Sequence, residues 1–291
     1  MFRSSDAPAA CCNGLKEPRQ RRRYRSTMAP DARTPAWADD AVAATVAVLQ
    51  PLADPVRAAP MAAYMRDQFP FLGVGTPIRT AALRRAWHDL PSPSAGDLAA
   101  AVTALWVLPH REYQYAACDL LQRFGRRPGP YEDASLLGPP GVGAAGVIHR
   151  LITSRSWWDT VDALRKVAVG PLVAAHPHLG TVLRTWIEAD DRWLVRSALI
   201  HQLGYGERTD ADLLFTFCAR RAADQEFFVA KAVGWSLRTY ARVDPDAVRA
   251  FVEGHPELTR LARREALKHV RADRSRPLFV ISAIPVTDEE G

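Results

Sequence analysis

The chain has few cysteines, four in 291 residues, and none of them stands in a C-x-x-C or other metal-ligand spacing. Cys11 and Cys12 are adjacent in a polar stretch, a poor arrangement for a structural disulfide, and Cys118 and Cys218 stand alone. All four therefore read as free thiols of a reducing compartment. No apolar run approaches the roughly 20 residues that cross a bilayer, and the arginine-rich start lacks the apolar segment of a secretory signal. A cytoplasmic chain with no membrane partner is the expectation. The P-loop, H-E-x-x-H, G-x-S-x-G and dinucleotide fingerprints are all missing, and the eight histidines are scattered. No metal and no cofactor is called for, and His201 reads as a packing residue rather than a base.

Positive charge is present but unevenly spread. The net +6 of the whole chain falls mostly on residues 1–35, where eight Lys and Arg face three Asp and Glu, so the remainder carries only +1. That tail, 1–36, has arginines and no apolar period and reads as disordered; Met28 offers a second start. Residues 37–271 are expected to form the folded domain, with a second tail at 272–291. Any nucleic-acid surface on so neutral a domain must come from segregating charges onto one face.

Alternating β-branched runs are missing as well. From Asp40 onward apolar residues recur at spacings of three and four, with abundant alanine and leucine, which predicts an all-α domain. The candidate helices lie near 40–51, 57–68, 77–89, 96–107, 111–125, 143–153, 157–168, 179–188, 191–203, 210–222, 226–242, 245–253 and 257–271. Trp158, Arg196 and Trp235 open three successive units at offsets of 38 and 39 residues. A period near 40 with two helices per unit is the signature of HEAT-like antiparallel helical repeats stacked into a curved solenoid, in which matching positions line one surface. A compact helical bundle is the alternative.

Three constellations carry chemistry. In Ser156-Trp157-Trp158-Asp159-Thr160-Val161-Asp162, Trp158 and Asp162 are four apart and share a helical face, so they can offer an aromatic surface and a fixed charge to one cationic object. Burial of the tryptophans in the core is the competing reading. In the helix at 226–242, Phe228, Lys231, Trp235 and Arg238 form one stripe, which suits phosphate and sugar contacts or, alternatively, core aromatics with cations snorkelling past them. Arg192 and Arg196 are one turn apart and could grip phosphate oxygens or serve in ordinary salt bridges. The Gly138-Pro139-Pro140-Gly141-Val142-Gly143 segment looks like a helix-hairpin-helix turn, with Asp159 or Asp162 as its downstream acid, but reads more simply as a loop between repeats.

Together these residues resemble the AlkD-type DNA alkylation repair glycosylases, a HEAT-like all-α family. The matching segments are Ala63 to Gly73 with Thr76-Pro77, Tyr113 to Leu121, Ser156 to Asp162, Arg192 to Ile200, and Glu226 to Arg238, in order over about residues 45–271. The resemblance implies a catalytic cleft formed by Trp158, Trp235 and Asp162, with Arg196 touching DNA; Arg192, Lys231, Arg238, Tyr64 and Phe228 are further expected contacts. It also implies a monofunctional glycosylase that removes cationic 3-methyladenine and 7-methylguanine from duplex DNA and leaves an abasic site. The partner would be alkylated double-stranded DNA and the protein a monomer, cytoplasmic and on the nucleoid when bound. A non-catalytic repeat scaffold that binds DNA or protein is the alternative.

Overall fold

The computed structural model describes residues 36–125, 132–137, 146–268 and 270. The arginine-rich tail, the glycine and proline segment at 138–143 and the C-terminal tail lie outside the described residues. Among those described there is no strand, as the missing alternation implies, and no helix is long and apolar enough to cross a membrane.

The described residues form fourteen α-helices. They are α1 (Ala36–Leu49), α2 (Pro55–Tyr64), α3 (Thr76–Ala86), α4 (Ala95–Val107), α5 (Arg111–Phe124), α6 (Val147–Thr153) and α7 (Trp158–Leu164). Then come α8 (Gly170–Ala175), α9 (Gly180–Trp186), α10 (Arg192–Ile200), α11 (Ala211–Arg220), α12 (Phe227–Tyr240), α13 (Pro245–Gly254) and α14 (Arg260–Ala266).

Their starts are written in short polar residues that satisfy the first unpaired N–H groups. Ser94 and Asp97 make a reciprocal capping box on α4. The carboxylates of Asp54, Asp191, Asp210, Glu226 and Asp244 accept from the first turns of α2, α10, α11, α12 and α13.

The helices stack as a helical-repeat solenoid. α3, α5, α7, α10, α12 and α14 form a continuous inner row in which each packs on the next, while α4, α6, α9, α11 and α13 pack behind it. One apolar core runs through the stack, including Leu83, Trp106, Leu120, Ile148, Leu164, Leu199, Val233 and Ala262.

Two local features hold the inner row in place. Glu112, buried at 0% exposure, receives the backbone N–H groups of Leu72 at 2.8 Å, Gly73 at 2.8 Å and Val74 at 3.0 Å. This carboxylate, satisfied by peptide dipoles alone, shapes the Phe69-to-Gly73 segment. Gly73 itself sits at φ +90 against the carbonyl of Asp54, where a Cβ would stand 2.1 Å from that oxygen.

The second feature is a correction to the sequence reading. The helix expected to end at 168 does not stop at Gly170-Pro171; it widens into a π-turn over Arg165–Val169 and continues as α8. The wide turn shifts the hydrogen-bond register just where Pro171 has no N–H to give. The other expected helices are all present, with ends displaced by a few residues: α1 begins at Ala36 rather than 40, and α14 is confined to Arg260–Ala266.

Gly234 lets α12 approach α14 closely, since a Cβ there would meet Glu265 Cβ at 2.5 Å and the Ala262 carbonyl at 2.8 Å. Gly234→Ala is therefore expected to destabilise the fold by roughly 1–3 kcal/mol through overpacking, measured as a lower urea midpoint with an unchanged m-value.

Candidate active site

The site grows from the segment that precedes α7. Arg155, at φ +50, turns the chain sharply, and its side chain donates to the Val107 and Pro109 carbonyls at 3.2 and 2.9 Å. Arg111, from α5, donates to the Arg155 carbonyl at 2.8 Å, to both oxygens of Asp159 at 3.0 and 2.6 Å, and to Thr160 Oγ1 at 2.8 Å. Tyr115 adds a hydrogen bond to Asp159 at 2.6 Å; burial first, then that neighbouring charge, pushes its phenol well above the usual range. The start of α7 is thus locked to α5. Asp159, at 6% side-chain exposure, is largely taken up by this lock.

With α7 so fixed, the adjacent tryptophans part. Trp157 turns inward and packs its ring on Trp193 at 5.9 Å and Phe228 at 5.4 Å. Trp158, half-buried like Trp157 and also packed on the core, has a different aromatic partner, the edge of Tyr64, which is 71% exposed, at 6.2 Å. One turn on, Asp162 points at α10. Arg196 grips it through Nε to Oδ1 and Nη2 to Oδ2, both at 2.8 Å, and its remaining Nη1 donates to the Phe228 carbonyl at 2.8 Å. The ring of Trp235 lies 5.8 Å from the Arg196 guanidinium.

The structure therefore brings Trp158, Tyr64, Asp162, Arg196 and Trp235 to one surface contributed by α2, α7, α10 and α12. Arg196 is 5% exposed, and its bonds to both oxygens of Asp162 and to the Phe228 carbonyl fix the direction of the carboxylate. Asp162 keeps 18% side-chain exposure.

The remaining expected contacts are distributed around this centre. Phe228 belongs to the aromatic cluster with Trp157 and Trp193, while its neighbour Phe227 is the exposed ring. Arg192 diverges from Arg196 and pairs with Glu226 at 3.2 Å in the open. Lys231 and Arg238 converge on Glu265 of α14; burial acts to raise that carboxyl, and the two cations outweigh it and hold it low.

Beyond Trp235 opens a cleft of about 940 Å³ between the α7–α8 helix and the C-terminal helices. Among the described residues its cations are Arg165, Lys166, Arg208, Arg238, Arg242 and Lys268, and none of its described lining residues is a carboxylate. His201 forms part of its wall but is buried, with Nδ1 2.6 Å from the Ala198 carbonyl, and burial holds its pKa down to about 4. No cluster of three or more His, Cys, Asp or Glu with metal-binding geometry occurs among the described residues. Cys118 and Cys218 are free and buried, with their thiols pushed up by desolvation.

The family model for DNA alkylation repair enzyme matches residues 45–270, which covers all of these elements except the start of α1. The chain belongs to the DNA alkylation repair enzyme family. A solved structure described as a predicted DNA alkylation repair enzyme from Enterococcus faecalis is similar to it. The two share 32% identity over 75% of this chain and 96% of that one, with a TM-score of 0.65. No curated protein matches the chain. Membership carries a role in DNA repair.

Sequence reasoning did not single out Arg111, Glu112, Arg165 or Glu265. Arg165 alone had a readable signal, three residues after Asp162 on the same helix; the others act across helices 27 to 48 residues apart in sequence or through backbone groups.

The lock and the exposed pair should differ in weight. Arg111→Met strands the buried Asp159 charge and is expected to cost about 3–5 kcal/mol, whereas Arg192→Ala should cost less than about 1 kcal/mol; chemical denaturation of both variants checks this. His201 supplies a pH dependence. Between its ordinary 6.5 and its folded value near 4, the unfolded chain binds a proton that the folded chain refuses, so stability falls as pH drops through that window. The loss should approach a magnitude on the order of 3 kcal/mol, and this component should vanish from His201→Gln in unfolding curves at pH 7.5 and 4.5.

Proposed function

We propose that the protein is a monofunctional DNA glycosylase that excises cationic N3- and N7-alkylated purines, 3-methyladenine and 7-methylguanine among them, from duplex DNA. The observation that carries this reading is the Asp162 carboxylate, held bidentately by Arg196 and left partly open on the surface that also bears Trp158, Trp235 and Tyr64.

An N7-alkylated guanine bears a formal positive charge. Its glycosidic bond can break with the electron pair passing to N9, which neutralises the base, so the leaving group needs no proton. The positive charge moves to the sugar. Asp162 would stabilise that oxocarbenium-like sugar and orient the water that adds to C1′ and then loses a proton. Arg196 occupies one lone pair on each carboxylate oxygen, and the others remain available. Trp158 and Trp235 would supply contacts that strengthen as positive charge builds on the sugar. Lys231, committed to Glu265, is read as a phosphate contact rather than a Schiff-base former. The product would be an abasic site.

In this reading the HEAT-like stack cradles alkylated double-stranded DNA as a monomer, working in the cytoplasm and on the nucleoid. The non-catalytic scaffold is the competing function. The Arg196 pair speaks for it, because a carboxylate already neutralised by a guanidinium can be a purely architectural group.

Duplex DNA carrying 7-methylguanine, incubated with the protein and assayed for free base by mass spectrometry, separates the two. Wild type should release the base above an enzyme-free blank, and Asp162→Asn should be slower by about 10²–10³-fold, the scale of losing one preorganised electrostatic group. Binding without release would leave the scaffold; release undiminished in the variant would remove Asp162 from the chemistry.

A further inference from the structure

A second cavity, of about 480 Å³, borders the candidate active site on the Tyr64 side. That volume falls within the roughly 300–1,000 Å³ usual for small-molecule sites. Met61, Tyr64 and Met65 close it from the α2 side, and Arg79, Tyr115 and Asp159 line it from the inner row. Two links join it to the acid. Ala163 of its wall follows Asp162 in sequence, and Tyr64 of its wall meets the edge of Trp158 at 6.2 Å.

The chain fixes the rims of this cavity and leaves its cover light. Asp54 donates its N–H to the Leu72 carbonyl at 2.8 Å, and the ring of Phe69 lies 3.8 Å from the Arg111 guanidinium, so the segment that carries α2 is tied down at both ends. Between these ties none of the residues of α2 is buried, and Arg66 and Asp67 turn the chain at φ +56 and +54. A helix that buries so little is weakly held and can yield to a ligand.

The lining suits a flat heterocycle. Tyr64, Phe71 and Tyr115 offer ring faces, the last two 6.3 Å apart, and the two methionine thioethers adapt to aromatic edges. A polar edge completes the site. Arg79 donates Nε to Asp119 at 3.1 Å and Nη1 to Thr76 Oγ1 at a long 3.5 Å, which leaves it further N–H groups to give. Tyr115 gives its proton to Asp159, so its oxygen is left as an acceptor. A ring edge with an acceptor beside a donor matches that pair. Purines carry one, O6 beside N1–H in guanine and N1 beside the N6 amino group in adenine. The charges cancel in pairs, Arg79 with Asp119 and Arg111 with Asp159, so a cationic ring meets π faces rather than a net repulsion.

We propose that this cavity takes up the alkylated purine as it leaves the base stack, holding the ring against Phe71, Tyr64 and Met61 with its polar edge on Arg79 and Tyr115, while its sugar meets Asp162. The source of the base rests on the glycosylase reading; the affinity of the cavity for a purine ring does not.

Free 3-methyladenine, titrated into the full-length protein and followed by saturation-transfer NMR, tests the cavity apart from any base release. Wild type should bind it saturably with a dissociation constant of about 1 mM or below, and Met61→Trp, which fills the cavity from α2, should weaken it about tenfold or more. Met61→Leu keeps the volume and should match wild type. Indole, similar in size but without the acceptor–donor edge, should bind several-fold more weakly. Undamaged duplex should bind wild type and Met61→Trp alike, whereas single-turnover release of 7-methylguanine should slow about tenfold or more in Met61→Trp. No saturable binding of the free base would overturn the proposal, as would equal binding by Met61→Trp or indole binding as tightly as the purine. Release at the wild-type rate by Met61→Trp would keep the enzyme and remove the cavity from its action. Should wild type release nothing while the free purine binds in a Met61-dependent way, the glycosylase reading falls and the purine site stands.

Discussion

Every junction along the inner row of helices is closed by a charged side chain that ends on the next helix. Arg79 of α3 meets Asp119 of α5, and Arg111 of α5 meets Asp159 of α7. Asp162 of α7 meets Arg196 of α10, and Arg196 reaches on to the Phe228 carbonyl of α12. Glu265 of α14 takes Lys231 and Arg238 from α12. A repeat stack buries apolar area between neighbours without fixing how far each helix slides or rotates. Paired, hydrogen-bonded charges penalise misregistration strongly, because a slip leaves a charge desolvated and alone. The site inherits its geometry from this ladder.

Within the ladder, two carboxylates three residues apart have opposite fates. Asp159 takes two arginine bonds and a tyrosine bond, so its charge is spent on joining α5 to α7. Asp162 takes one arginine and stays partly open. The same contrast holds for the cations. Arg196 is buried and ends on Asp162 and the Phe228 carbonyl, whereas Arg192, one turn earlier, pairs with Glu226 in the open. Counting hydrogen bonds, more than counting charges, separates scaffold from site.

The aromatic residues follow the same logic. Trp157, Trp193 and Phe228 knit α7, α10 and α12 together from behind, and that packing supports the surface that Trp158 and Trp235 present. The cleft beyond Trp235 is basic and has no acid among its described lining residues, although the chain outside residues 1–35 carries a net charge of only +1. Segregation of charge, not bulk basicity, makes the surface fit for a polyanion.

The sequence by itself determined the helical class, the order of the helices and the 38- and 39-residue spacing that sets Trp158, Arg196 and Trp235 in register, because periodicity and capping residues act within a few positions of chain. It also placed Asp162 one turn from Trp158. Which tryptophan of the adjacent pair joins the Trp193 and Phe228 cluster, which aspartate is taken by Arg111, and which arginine of the 192 and 196 pair is buried were decided only by the tertiary structure, since each depends on a partner some 30 to 50 residues away. The continuation of α7 through Gly170-Pro171 was hidden for a related reason: those residues end a helix by local rule, and a widened turn held by Tyr205 and the chain beyond α10 overrides it.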